Sequence, residues 1–156
     1  MLNENQEKDD RRRALLVQSD HFASHEGRRP RLMIATLGEG LNAEVIKTSN
    51  EFADLGFDVD IAPALDEVQL LLKQVIDNDA HILLVLMRHS DSEKYHDIVR
   101  ITEKKWPEEV LLVFKSNEEL DSVADQHLKG TGAFFGSGAS VYDLAKYMLG
   151  TILGHG

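Results

Sequence analysis

The run Asp79-Ala-His-Ile-Leu-Leu-Val-Leu-Met87 constrains this chain more than any other stretch. From Ile82 onward every side chain is apolar, so an extended backbone there presents apolar groups on both of its faces. Such a strand needs cover on both sides, as a central strand has in a parallel sheet flanked by helices. No apolar run in the chain is long enough to cross a bilayer.

The neighbouring sequence supplies partners for that strand. Arg31-Leu-Met-Ile-Ala-Thr36 reads as a buried strand that runs into the turn Leu37-Gly-Glu-Gly-Leu-Asn42. A helix is predicted from about Asn42 to Leu55, with Val45, Ile46, Ser49, Phe52 and Ala53 on or beside its inner face and Gly56 as its stop. Phe57–Ile61 alternates strictly, as an edge strand with one solvated face does. Asp66 and Gln69 then fit a capping box for a helix that turns Leu70, Leu71, Val75 and Ile76 inward.

The same unit recurs downstream. Ser90 with Glu93 opens a helix carrying Ile98, Val99 and Ile101, and Trp106-Pro107 closes it. Glu109–Phe114 is the fourth strand, and Ser116 with Glu119 opens a helix carrying Leu120, Val123, Ala124 and Leu128. Thr131–Phe135 is the fifth strand, followed by Gly136-Ser-Gly138 and a last helix opened by Ser140 and Asp143. That helix is expected to bury Val141, Leu144, Tyr147, Met148 and Ile152. The pattern is a doubly wound (βα)₅ parallel sheet, whose ligands meet the protein where strand ends feed the turns.

Residues 1–29 are read as a flexible or helical N-terminal extension, and 30–156 as the α/β domain. The first ten residues have little reason to fold, and Pro30 holds the residue before it extended, which places the boundary there. Arg11-Arg-Arg13 is a basic island best read as a solvated face, and His21 and His25 share a helix face with no third ligand near them in sequence. With no Cys, thiol nucleophiles, zinc–thiolate sites and disulfides are excluded. A formal charge of -10 opposes nucleic-acid backbone binding. The polar, acidic start has no apolar segment of the secretory type, and a cytoplasmic location is expected.

Three segments carry a resemblance: Gly27-Arg-Arg-Pro-Arg-Leu32, Ala53-Asp-Leu-Gly-Phe-Asp-Val-Asp60 and Asp79-Ala-His81. In that order and spacing the chain resembles the cobalamin-binding domain family, as found at the C-terminal end of methylmalonyl-CoA mutase, from about Glu26 to the last helix. The resemblance implies a flavodoxin-like fold with strand order 2-1-3-4-5. It also implies a corrin site above the strand ends, with the nucleotide tail running between strands and helices. The family signature after the first strand is Asp-x-His-x-x-Gly, in which the His ligates cobalt and the Asp orients the far imidazole nitrogen. Here that His position falls on Leu41, or on Asn42 if counted from Pro30, while the Asp falls on Glu39 and the Gly on Glu44. The family's Ser-x-Leu falls near Leu86-Met-Arg88 and its paired Gly near Phe114-Lys-Ser116, where larger side chains are expected to fill the groove. Gly136-Ser-Gly-Ala139 still resembles the nucleotide-proximal loop.

The remaining reactive groups offer little chemistry. His89, beside Arg88, Ser90 and Asp91, sits at a strand end, but Ser90 and Asp91 have simpler roles as cap and first-turn carboxylate. His81 is read as structural, and a receiver-type phosphoacceptor would need an acidic pair that Glu39 alone does not make. The resemblance thus implies a degenerate member of the family: an accessory or interaction domain related to acyl-CoA mutase small subunits. It is not independently catalytic, although a subunit of a mutase-like isomerase is compatible with it. No catalytic residue, metal or cofactor is expected, and the partner is a mutase catalytic subunit or a second copy, met through Arg88, His89 and Lys115. The alternative is a corrinoid bound in base-on form without a protein His ligand, or a smaller nucleotide-like ligand, near Glu39, Gly40, Gly136 and Gly138.

Overall fold

The computed structural model describes residues 4–37, 40–62, 68–88, 100, 107, 109–116 and 132–154. Helix α1 spans Glu4–Glu26, and it is followed by β1 (Arg31–Thr36), α2 (Asn42–Asp54), β2 (Asp58–Ile61), α3 (Val68–Asp77) and β3 (Ile82–Met87). Then come β4 (Leu111–Ser116), β5 (Gly132–Phe135) and a C-terminal helix, here α4 (Val141–Gly154). The five strands form one sheet in the order β2-β1-β3-β4-β5, and every pairing is parallel. With helices on its faces, this is the flavodoxin-like architecture. The capping pairs and helical positions predicted between Ser90 and Trp106, together with Asp66, Glu119 and the positions from Leu120 to Leu128, lie outside the described residues.

Burial follows from the strand pattern. All six side chains of β3 are buried, as are Leu32, Met33, Ile34 and Ala35 of β1. Alternation sends Leu32, Ile34, Ile82, Leu84, Leu86, Leu111 and Val113 into a core shared with α1, α2 and α4. Met33, Ala35, Leu83, Val85, Met87, Leu112 and Phe114 enter a second core with α3 on the opposite face. β2 lies at the edge, and its outer carboxylates Asp58 and Asp60 flank Arg31 at 3.9 and 3.5 Å.

Two helices are rotated from the faces read in the sequence. In α2 the inward set is Val45, Thr48 and Phe52, while Ile46 is 58% exposed and Ala53 is exposed. In α3 the inward residues are Leu71 and Val75, while Leu70 and Ile76 face outward. Both helices contain more apolar residues than one face can hold, so pattern alone left the rotation open. α4 buries Val141, Leu144 and Met148 as expected, but adds Ala145 and Leu149, and leaves Tyr147 and Ile152 half-buried.

The first ten residues were given little reason to fold, yet α1 begins at Glu4. The signal was present in charge spacing: Glu4–Lys8, Glu7–Arg11 and Asp9–Arg13 each set an acid four residues before a base, the favourable orientation on a helix. Tertiary contacts then fix the helix. Leu15, Ser19 and Phe22 are its only buried residues, spaced to share one face. The Ser19 hydroxyl donates to the Leu55 carbonyl at 2.7 Å, where α2 ends. Gly56 accepts this close approach with φ +90, since a Cβ there would stand 2.9 Å from Ser19 Cβ. Arg11 pairs with Asp143 at 2.9 Å and its guanidinium lies 5.5 Å from the centre of the Tyr142 ring.

If α1 belongs to the folded unit, Ser19→Ala should reduce unfolding free energy by about 1–3 kcal/mol, because a buried carbonyl loses its donor. Val17→Ser, at a position 68% exposed on the same helix, should change it by less than about 0.5 kcal/mol. Urea titration of both variants checks this pair.

Candidate functional site

The carboxyl ends of β1, β3, β4 and β5 form one edge of the sheet, the edge to which the sequence reading directed attention. Register places Thr36, Leu86, Lys115 and Phe135 in a row across it, with Met87 opposite Ser116 one step further. Leu86 and Phe114 are almost wholly buried, and so is the Ser116 side chain. Leu86 packs into the core under α2 and α4, and Phe114 into the core under α3.

The turn after β1 reaches back over this edge. The Leu37 N–H donates to Leu86 O at 2.9 Å, extending the β1–β3 ladder by one bond. Arg88 then donates from Nη2 to Gly40 O at 3.1 Å and straps the turn to the end of β3. Gly40 is needed for this, because its φ is +81 and a Cβ there would collide with the Arg88 guanidinium. The next residue, Leu41, is 3% exposed and belongs to the core that also holds Val45, Leu86 and Val141. It occupies the N-cap of α2 and supplies no side-chain cap, a poor choice for a cap but a good one for packing.

These facts place each residue singled out from the sequence. Gly40 and Arg88 are brought together, and Arg88 is half-buried and engaged with the turn. Lys115 is half-buried on the face that carries Leu86. Gly136 and Gly138 lie in the turn before α4, and a Cβ at Gly138 would meet nothing within 4 Å. Glu39 and His89 lie outside the described residues, as do His96, His127 and His155. Ser140 and Asp143 form the predicted box, with Ser140 N–H donating to Asp143 Oδ2 at 2.9 Å and Asp143 N–H to Ser140 Oγ at 3.2 Å. The Ser140 N–H first, and then Arg11, hold the Asp143 carboxyl below its ordinary range.

A histidine lower ligand does not fit the side chains present. Neither Leu41 nor Asn42 has an imidazole, and the Leu41 side chain is already committed to the core. Among the described residues no group of three or more His, Asp or Glu side chains could hold a metal ion. His21 and His25 meet edge-to-face on α1, their ring centres 4.5 Å apart.

Pairwise similarity points the same way as the motifs. The chain is 26% identical over 146 residues to methylmalonyl-CoA mutase of Escherichia coli (strain K12), covering 91% of this chain and 20% of that protein. It is 28% identical over 137 residues to the enzyme of the same name from Cereibacter sphaeroides, covering 85% of this chain and 19% of that protein. With the human mitochondrial enzyme the identity is 46%, over 63 residues that make up 38% of this chain and 8% of that protein. The chain therefore spans about a fifth of the length of the bacterial mutases it matches. No family model matches it. Among solved structures, the signal receiver domain of NarL from Mycobacterium tuberculosis superposes with a TM-score of 0.52 at 13% identity, over 81% of this chain and 98% of that one. That likeness concerns the fold alone. The relationship to the mutases is distant and partial, and it agrees with the resemblance read from the residues.

The Arg88–Gly40 strap was missed from sequence, although a glycine in the first turn and an arginine just past the central strand were both visible. A double-mutant cycle tests it. Gly40→Ala should destabilise by about 1–3 kcal/mol, from its positive φ together with the guanidinium collision. In an Arg88→Ala background the collision is gone, and the cost should fall to about 1 kcal/mol. Equal costs in the two backgrounds would show that Arg88 does not rest on Gly40.

Proposed function

We propose that this chain is a non-catalytic interaction domain built on a cobalamin-domain scaffold, meeting a protein partner with the loops at its strand ends. One observation carries the reading. Where the resemblance puts the cobalt-ligating imidazole, Leu41 is packed into the core with 3% exposure. A group so placed reaches cobalt only by giving up its burial, worth about 1.5–3 kcal/mol for a leucine. The strap of Arg88 across Gly40 adds to it, as do Leu86 and Phe114, buried on opposite faces of the sheet at positions the resemblance maps to the tail groove.

The partner class is drawn from the relatives, which are named as mutases. A mutase catalytic subunit is therefore the partner we infer, approached through Arg88 and Lys115. Fixed charges on such an edge set specificity and association rate more than affinity. The second reading, a base-on corrinoid or a smaller nucleotide-like ligand, draws on the open space beside Gly138.

Both readings meet in one experiment. Isotopically nitrogen-labelled protein is mixed with hydroxocobalamin, reduced, and read by electron paramagnetic resonance. The expected spectrum has no coupling from protein nitrogen, and protein-imidazole coordination that survives dialysis would overturn the proposal. In parallel, a mutase catalytic subunit is titrated with the native chain and with the Arg88→Glu/Lys115→Glu form. Affinity should fall at least about tenfold on reversal, or roughly 1.4 kcal/mol. No binding by the native chain, or equal binding by both forms, removes this contact face.

A further inference from the structure

The junction of α1, β1 and β3 holds a polar cluster remote from the strand-end turns. His81 precedes β3 and is half-buried. The Arg31 N–H, at the first residue of β1, donates to His81 Nδ1 at 2.8 Å. That bond exists only while Nδ1 is unprotonated, which assigns the proton of the neutral ring to Nε2. On the α1 side the Phe22 ring meets the imidazole edge-to-face, with centres 4.9 Å apart. Phe22 is one of the three buried residues of α1, so the last anchored turn of that helix rests on His81.

The charges around the ring are mixed. Arg28, in the linker between α1 and β1, donates to the Asp79 carbonyl at 3.2 Å and lies 3.4 Å from His81 Nε2. Arg31 is the second cation facing the ring, while Glu26 at the end of α1 and Asp79 before β3 face it as anions. Burial is the largest influence and Arg28 the next, and both oppose a second proton more than the two carboxylates favour one.

We propose that His81 is an acid-sensitive latch for α1: a second proton on its ring breaks the bond from Arg31 and releases the Phe22 end of the helix. The direction follows from linkage. A released state, with His81 in water, takes up protons more readily than the docked state, whose ring titrates below the ordinary imidazole value. Acid therefore favours release, beginning as pH falls through the released-state value and complete below the docked one. Each unit of separation between the two values contributes about tenfold to the equilibrium. The far end of α1 does not respond in this range, because Asp143 stays ionised and keeps Arg11.

The absence of cysteine makes the test direct. Val17→Cys/Lys146→Cys, at exposed positions of α1 and α4, takes two spin labels in the full chain, and their separation is measured from about pH 7.5 to 5. A single short distance should give way to a broad, longer one. Hydrogen exchange at Leu15–Phe22, corrected for intrinsic rate, should accelerate about tenfold or more while β3 amides stay protected. His81→Gln keeps His21 and His25 but cannot take up the proton, and it should abolish the response. Should that variant fail to fold, the native chain suffices, because the ring titration of His81 by NMR must share its midpoint with release. An unchanged distance, a response retained in His81→Gln, a His81 midpoint displaced from release, or simultaneous loss of β3 protection would overturn the latch.

Discussion

Everything in this molecule hangs on covering β3 from both sides. Six consecutive apolar residues, all buried, sit between β1 and β4, and their alternation divides the interior into two cores. Full burial of each such side chain is worth about 1.5–3 kcal/mol, so the strand is costly to expose and specifies its surroundings. One core is closed by α2 and α4, with α1 laid over them, and the other receives α3. The strand ends, and hence any site, are positioned by that single requirement.

The same economy governs the strand-end edge. In the cobalamin-binding family this edge is kept open by small residues around a ligating histidine. At the positions the resemblance maps there, Leu41, Leu86 and Phe114 are buried, and Arg88 ties the first turn down through Gly40. Under the proposed function, this edge keeps the scaffold and offers Arg88 and Lys115 to a protein partner. α1 lies over the same core that takes Leu41 and Leu86, held by two apolar anchors, one buried hydroxyl and one exposed ion pair.

Much of the fold was legible because strand burial is a local property. The run ending at Met87, the alternation of Phe57–Ile61 and the box at Ser140–Asp143 each mark their element without knowledge of the others, although burial along β2 does not alternate and Ile61 is exposed. Helix rotation was not legible. Ile46, Leu70 and Ile76 are as apolar as the residues that turned inward, and only the shape of the sheet beneath decides among them. α1 was underestimated for a related reason: a helix with three buried residues in twenty-three carries almost no apolar periodicity, and its stability comes from contacts distant in sequence. At the site, the absence of an imidazole from both mapped positions, Leu41 and Asn42, was readable at once. The strap from Arg88 was not, since it joins residues 48 apart.

The central claim is that Leu41 is a core residue where the resemblance expects a ligand. The direct measurement is the unfolding free energy of Leu41→Ala, compared with Ile46→Ala five residues further along, inside α2. Both leucine and alanine are poor caps, so the change at Leu41 reads packing alone. A loss of about 2–5 kcal/mol at Leu41, against less than about 1 kcal/mol at the 58% exposed Ile46, is the predicted result. A loss at Leu41 no larger than that at Ile46 would mean that the turn stands open over the sheet, and would contradict the account.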